Sequence, residues 1–290
     1  MCGAGEQCYA PGLGGMQRQE TSMFQTFGAA TGPLFVYLHG SPGGPAECAH
    51  FDGLARAAGV RLACLDRGRV ELSLSGEAYF RAVAQAIDGL AGAEPFSLIG
   101  FSMGTFVALR AAPYLTSKVI ATHLISSAAP LESGDFLNHM VGKAVFQMAQ
   151  SSPDALRRLT RVQGWMTRFL PGLMIGALFN GAKGGDLALA TDKAFRKWIA
   201  RILAETTGPG EAGYLRDIGA YVTPWAEHLK AVPLPCQLWH GDEDNWTPPG
   251  MATVLSHLLP QISPIHRVAG ASHYSTLIHA MPLILGGKAD

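Results

Sequence analysis

A chain of 290 residues, 48% hydrophobic and only 15% charged, can bury a large core, which excludes a disordered protein and leaves room for one large α/β domain or a domain with an insertion. Its 22 Lys and Arg balance 22 Asp and Glu, and the densest basic cluster, Arg157, Arg158 and Arg161, reads as a solvated helix face, so nucleic acid is not an expected partner. The five cysteines (Cys2, Cys8, Cys48, Cys64 and Cys236) match neither a disulfide framework nor a metal site, and no apolar run is long enough to span a bilayer, so a reduced, cytoplasmic protein is expected.

The opening MCGAGEQCYAPGLGG has no basic start followed by an apolar stretch and does not read as a signal peptide; residues 1–25 are expected to be a flexible segment. From residue 26 to 130, short apolar runs alternate with helical patterns: LFVYLH at 34–39, RLACLD at 61–66, FSLIGF at 96–101 and KVIATHLISS at 118–127. Runs of this length suit parallel strands covered on both faces, and EAYFRAVAQAIDGLAG at 77–92 carries its apolar residues at helical spacing. This alternation predicts a doubly wound, mostly parallel sheet.

The pattern changes over residues 131–229, where no clear strand is found. Amphipathic stretches at 135–150, 155–170 and 189–206 are separated by SSPD, PGL, GAKGGD and GPGE, which predicts an inserted helical cap. Alternation resumes over residues 230–290 with PCQLWHGDED, a helix beginning near Pro248 or Pro249, SPIHRVAG, and a final helix after Ser272. The sheet domain is therefore expected to comprise residues 26–130 and 230–290.

Gly100-Phe101-Ser102-Met103-Gly104 matches G-x-S-x-G at a strand-to-helix junction, where glycines permit a sharp turn that lifts a serine hydroxyl clear of the sheet. A serine needs a base to take its proton and a carboxylate to orient that base. Both should follow on later loops, acid before histidine. LWHGDEDNWTP supplies Asp242 and Asp244 past an apolar strand, and VAGASHYSTL supplies His273 at the head of the last helix. His266 alternates within a strand and His279 lies well inside the last helix, so both are poorer candidates. The N–H of Met103, next after Ser102, is a candidate oxyanion donor.

With these residues in order, the chain from about residue 30 onward resembles the α/β-hydrolase superfamily. The resemblance places the acid three residues after Gly241, at Asp244, with Asp242 as the alternative, and the base in Gly270-Ala271-Ser272-His273. It also implies that His39-Gly40-Ser41-Pro42-Gly43, similar to the H-G-x-P-G loops of the superfamily, offers a second oxyanion donor from the N–H of Ser41. The segment Asp66-Arg67-Gly68-Arg69-Val70-Glu71-Leu72-Ser73 departs from the D-x-P-G-x-G-x-S turn of relatives, lacking its proline and second glycine. A serine at the elbow, where haloalkane dehalogenases and epoxide hydrolases use aspartate, points to acyl chemistry.

The activity implied is hydrolysis of a small-molecule carboxylic ester, without metal or organic cofactor. Phe136, Met140, Phe146, Met148, Trp165, Met166, Phe169, Leu170, Met174 and Phe179 of the cap are candidate linings for an apolar pocket. A proline-iminopeptidase-like activity is the next reading, suggested by the Gly/Pro-rich loop and by Asp66-Arg67-Gly68; Glu205, Glu211 and Asp217 would then be candidates to meet a free amino terminus. C–C hydrolases, lactonases and a non-enzymatic small-molecule receptor share the fold.

Overall fold

The computed structural model describes residues 23–286, so most of the expected N-terminal segment, with Cys2 and Cys8, and the last four residues of the chain lie outside it. Seven strands form one sheet: β1 Phe24–Gly28, β2 Leu34–Leu38, β3 Arg61–Leu65, β4 Phe96–Phe101, β5 Val119–Ile125, β6 Cys236–Gly241 and β7 His266–Val268. Their order is β1-β3-β2-β4-β5-β6-β7, parallel throughout except for β1 against β3. The helices in chain order are α1 Pro45–Ala49, α2 Asp52–Ala57, α3 Gly76–Ala91, α4 Met103–Ala111, α5 Lys143–Ser151, α6 Pro153–Phe169, α7 Pro171–Leu178, α8 Asp186–Leu189, α9 Lys193–Thr207, α10 Glu211–Tyr221, α11 Gly250–Leu258 and α12 His273–Leu285.

The apolar runs are strands because both faces of the sheet are covered. All five residues of β2 are buried: Leu34, Val36 and Leu38 join one core with Phe96 and Leu98 of β4, while Phe35 and Tyr37 join the opposite core with Ile99 and Phe101. Strand β1 begins at Phe24, so Phe24 and Gln25 belong to the sheet rather than to the flexible segment expected through residue 25. Its FQTFG sequence is short and partly exposed, as an edge strand can be, and carries no apolar run to announce it.

Between β5 and β6 the described residues form helices and no strand. Pro153 and Pro171 open α6 and α7 from the first turn, where a missing N–H costs nothing, and the Asp192 carboxylate caps α9 by accepting the Phe195 N–H at 2.7 Å. Helices α7 and α10 had no clear periodic signal: PGLMIGAL is apolar on nearly every side, and EAGYLRDIGAY carries two glycines directly after a Gly/Pro break.

A buried ion pair ties this helical segment to the sheet domain. Arg67, after β3, is 1% exposed and places Nε 2.7 Å from Asp217 Oδ2 on α10. Tyr79 of α3 donates to the other carboxylate oxygen at 2.8 Å. The remaining guanidinium nitrogens donate to the His39 carbonyl at 2.6 Å, the Gly40 carbonyl at 3.1 Å and Ser41 Oγ at 3.1 Å. Removing one member of such a pair strands a buried charge. Arg67→Met should therefore lower stability in urea unfolding by about 3–5 kcal/mol, and Arg67→Met/Asp217→Leu should recover part of that loss. A single-variant cost below about 1 kcal/mol would mean that the pair does not secure the junction.

Candidate active site

Ser102 occupies the single residue between β4 and α4, with φ 53° and ψ −123°. This left-handed conformation costs a non-glycine residue about 1–3 kcal/mol and persists only where its surroundings impose it. Here the Ser102 N–H donates to the Ile125 carbonyl at 2.9 Å, and the Ser102 carbonyl accepts from Thr105 N at 3.0 Å and Thr105 Oγ1 at 2.6 Å. The flanking glycine is needed for close approach: a Cβ on Gly104 would stand 2.0 Å from the Leu38 carbonyl oxygen. The turn thus lets α4 pack against β2 and leaves the Met103 N–H among the first-turn donors that have no carbonyl within the helix.

His273, 2% exposed at the start of α12, meets Asp244 on the loop after β6: Nδ1 to Oδ2 is 2.9 Å. Asp244 also accepts from Trp246 N and Thr247 N, each at 2.9 Å, and from Thr247 Oγ1 at 3.0 Å. Burial pushes its carboxyl up, but the charge and hydrogen bond of His273, together with His240 and the Thr247 N–H, outweigh burial and hold the pKa at about 2. In the neutral ring, an ionised acceptor at Nδ1 keeps the proton there and leaves the Nε2 lone pair free. Trp246 stacks on the imidazole, centroids 5.4 Å apart and 14° from parallel. Asp242 points elsewhere, accepting the Gly270 N–H at 2.7 Å.

No hydrogen bond joins Ser102 Oγ to His273 among the described residues; the Phe101 ring, one residue before Ser102, lies 4.8 Å from the imidazole, centroid to centroid. Ser102, Ser41, Met103, Trp246 and Thr247 line one cavity of about 340 Å³. The sequence-expected serine and oxyanion residues are therefore brought together, with the His273–Asp244 pair beside them.

Most of that cavity's wall is apolar and comes from the helical segment. Met140, Phe146, Met166 and Met174 line it as expected, joined by Val145, Leu159 and Ile218. Trp165, Phe169 and Leu170 do not: they are 56%, 59% and 43% exposed on the outer surface. Phe136, Met148 and Phe179 pack into the cores instead. Helical periodicity told which residues share a face of α6 but not which face turns inward.

Other groups support the site, and of these the sequence singled out only Glu205, for a different role. Asp186 of α8, fully buried, accepts from Tyr274 N at 3.1 Å, Ser275 N at 2.8 Å and Ser275 Oγ at 2.7 Å, satisfying the N-terminus of the helix that begins with His273. On α9, Thr206 Oγ1 accepts the Gly43 N–H at 2.9 Å and Glu205 accepts the Ala46 N–H at 2.8 Å, holding the loop that carries Ser41. Beneath that loop, Glu47 Oε1 accepts from Tyr37 Oη at 2.8 Å and Gly40 N at 3.0 Å. Burial raises its carboxyl to about 7, against the lowering effect of those two donors and Arg67.

A family model described as the alpha/beta hydrolase family matches residues 35–283. A search of the curated proteins found no match. Among solved structures, a bromoperoxidase from Bacillus anthracis superposes with a TM-score of 0.65 at 19% identity, covering 91% of this chain and 94% of that one. An esterase, EaEST, from Exiguobacterium antarcticum gives 0.61 at 15% identity over 89% and 94% of the two chains. Est816, described as an N-acyl homoserine lactone degrading enzyme, gives 0.61 at 14% identity over 92% and 96%. Those likenesses speak to the fold, and the three proteins are described with different activities. With a model match spanning most of its length and a parallel sheet interrupted by helices after β5, the chain belongs to the alpha/beta hydrolase family.

Proposed function

We propose that the protein is a serine hydrolase that cleaves carboxylic esters of small to medium, largely apolar substrates through an acyl-enzyme on Ser102. The observation that carries this reading is a serine held at positive φ, opening on an apolar cavity beside a buried histidine–aspartate pair. His273 Nε2 takes the Ser102 proton as Oγ attacks the ester carbonyl, and Asp244 stabilises the imidazolium that forms. The Met103 and Ser41 N–H groups receive the charge that develops on the carbonyl oxygen. The imidazolium then protonates the departing alcohol, and water, deprotonated by His273, releases the acid from Ser102.

The aminopeptidase reading has less support. A free ammonium needs a carboxylate in the pocket, and among the described residues no Asp or Glu lines the cavity at Ser102. Asp217 is committed to Arg67 and Tyr79, Glu205 to the Ala46 N–H, and Glu211 lies 4.0 Å from Arg161.

Asp244→Asn should reduce kcat for p-nitrophenyl butyrate by about 10⁴ with an unchanged circular dichroism spectrum, whereas Asp242→Asn should change it little. The reverse pattern would move the acid to Asp242. Across p-nitrophenyl esters from acetate to octanoate, kcat/KM should rise by about fourfold per methylene until the cavity is filled. Prolyl p-nitroanilide should be a poor substrate, and faster turnover of that amide than of any ester would overturn the ester assignment.

A further inference from the structure

Of the ten large hydrophobic side chains that stand exposed among the described residues, five lie within twelve consecutive positions of α6 and α7: Val162, Trp165, Phe169, Leu170 and Leu173. Spacings of three and four residues put Val162, Trp165 and Phe169 in one stripe along α6, while Leu156, Thr160 and Thr167 are buried on the opposite side. One edge of the stripe continues into Leu159 and Met166, which line the cavity at Ser102, as Val162 does itself. The other edge is a row of cations, Arg157, Arg161 and Arg168, with Arg158 set among the apolar residues.

The charge of this face is one-sided. From residue 153 to 178 there are four arginines and one acid, Asp154, which pairs with Arg157 at 2.7 Å. From the elements packed alongside, α10 brings Glu211 to 4.0 Å from Arg161, and α9 brings a further cation, Arg196, whose Nη2 donates to the Gly172 carbonyl at 3.1 Å. A second copy of the same face would set arginine against arginine. An apolar stripe bordered by arginines suits instead the boundary of a bilayer, with the rings and leucines among the acyl chains and the guanidinium groups at the lipid phosphates.

We infer that the α6–α7 face docks on membranes containing anionic lipids, with α6 lying in the plane of the interface and the cavity mouth at Val162 beside it. No helix among the described residues is long and apolar enough to cross a membrane, so the contact is one of lying on the surface. This surface goes beyond the hydrolase reading, and vesicle binding is measured without turnover.

The probe is large unilamellar vesicles of phosphatidylcholine, with or without an equal part of phosphatidylglycerol, sedimented with the protein at low salt. Trp165 is 56% exposed, Trp198, Trp225 and Trp239 are at most 6% exposed, and Trp246 is half-buried in the cavity at Ser102, so the part of a blue shift that is lost on changing Trp165 reports on Trp165. Binding is expected for the anionic vesicles, weakening by about fivefold for each of Arg157, Arg158, Arg161 and Arg168 changed to Gln. Trp165→Ser/Phe169→Ser should bind at least tenfold less, with no blue shift and an unchanged circular dichroism spectrum. The proposal is overturned by absence of binding to anionic vesicles, by equal binding to pure phosphatidylcholine, or by full binding retained in the Arg→Gln variants or in Trp165→Ser/Phe169→Ser. It is equally overturned by light scattering that shows a dimer abolished by the Trp165/Phe169 change.

Discussion

The close approach of α4 to β2 is the constraint from which the candidate site follows. A Cβ at Gly104 would overlap the Leu38 carbonyl, and that packing leaves one residue in which the chain must pass from strand to helix. Ser102 takes the strained conformation, fastened by its own N–H to β5 and by Thr105 to its carbonyl. Two consequences come from the same turn: Ser102 lines the cavity, and the Met103 N–H at the head of α4 has no carbonyl within the helix to bond.

Around this turn, the helical segment does more than roof the cavity. Asp217 on α10 acts through Arg67 on the carbonyls of His39 and Gly40, while α9 grips the same loop through Thr206 and Glu205. Asp186 on α8 satisfies the first turn of α12, the helix that opens with His273. Loop and histidine are thus both held by carboxylates that arrive from the inserted helices. Buried polar contacts of this kind fix geometry more than they add stability, since each charge is desolvated to make them.

Much of this was legible in the residues. Apolar runs of five to seven residues announced β2 through β6, and the glycine pattern at Ser102 announced the turn, because both are local consequences of burial and backbone sterics. The resemblance favoured Asp244 over Asp242, and the loop gives the two carboxylates different partners, His273 for Asp244 and the Gly270 N–H for Asp242. Asp186 carried no signal, and Arg67 and Asp217 were noticed only as marks of an aminopeptidase, since partners far away in sequence cannot be paired from the residues alone. The inward and outward faces of α6 were also hidden: Trp165 and Phe169 looked like pocket residues until the side buried by its neighbours was known.

The account rests on Ser102 as an activated nucleophile, and covalent labelling tests it most directly. The folded protein treated with a fluorophosphonate, digested and analysed by mass spectrometry should carry one adduct on the peptide containing Ser102, formed far more slowly in Asp244→Asn and absent in Ser102→Ala. No adduct on the folded protein, or an adduct that persists in Ser102→Ala, would contradict it.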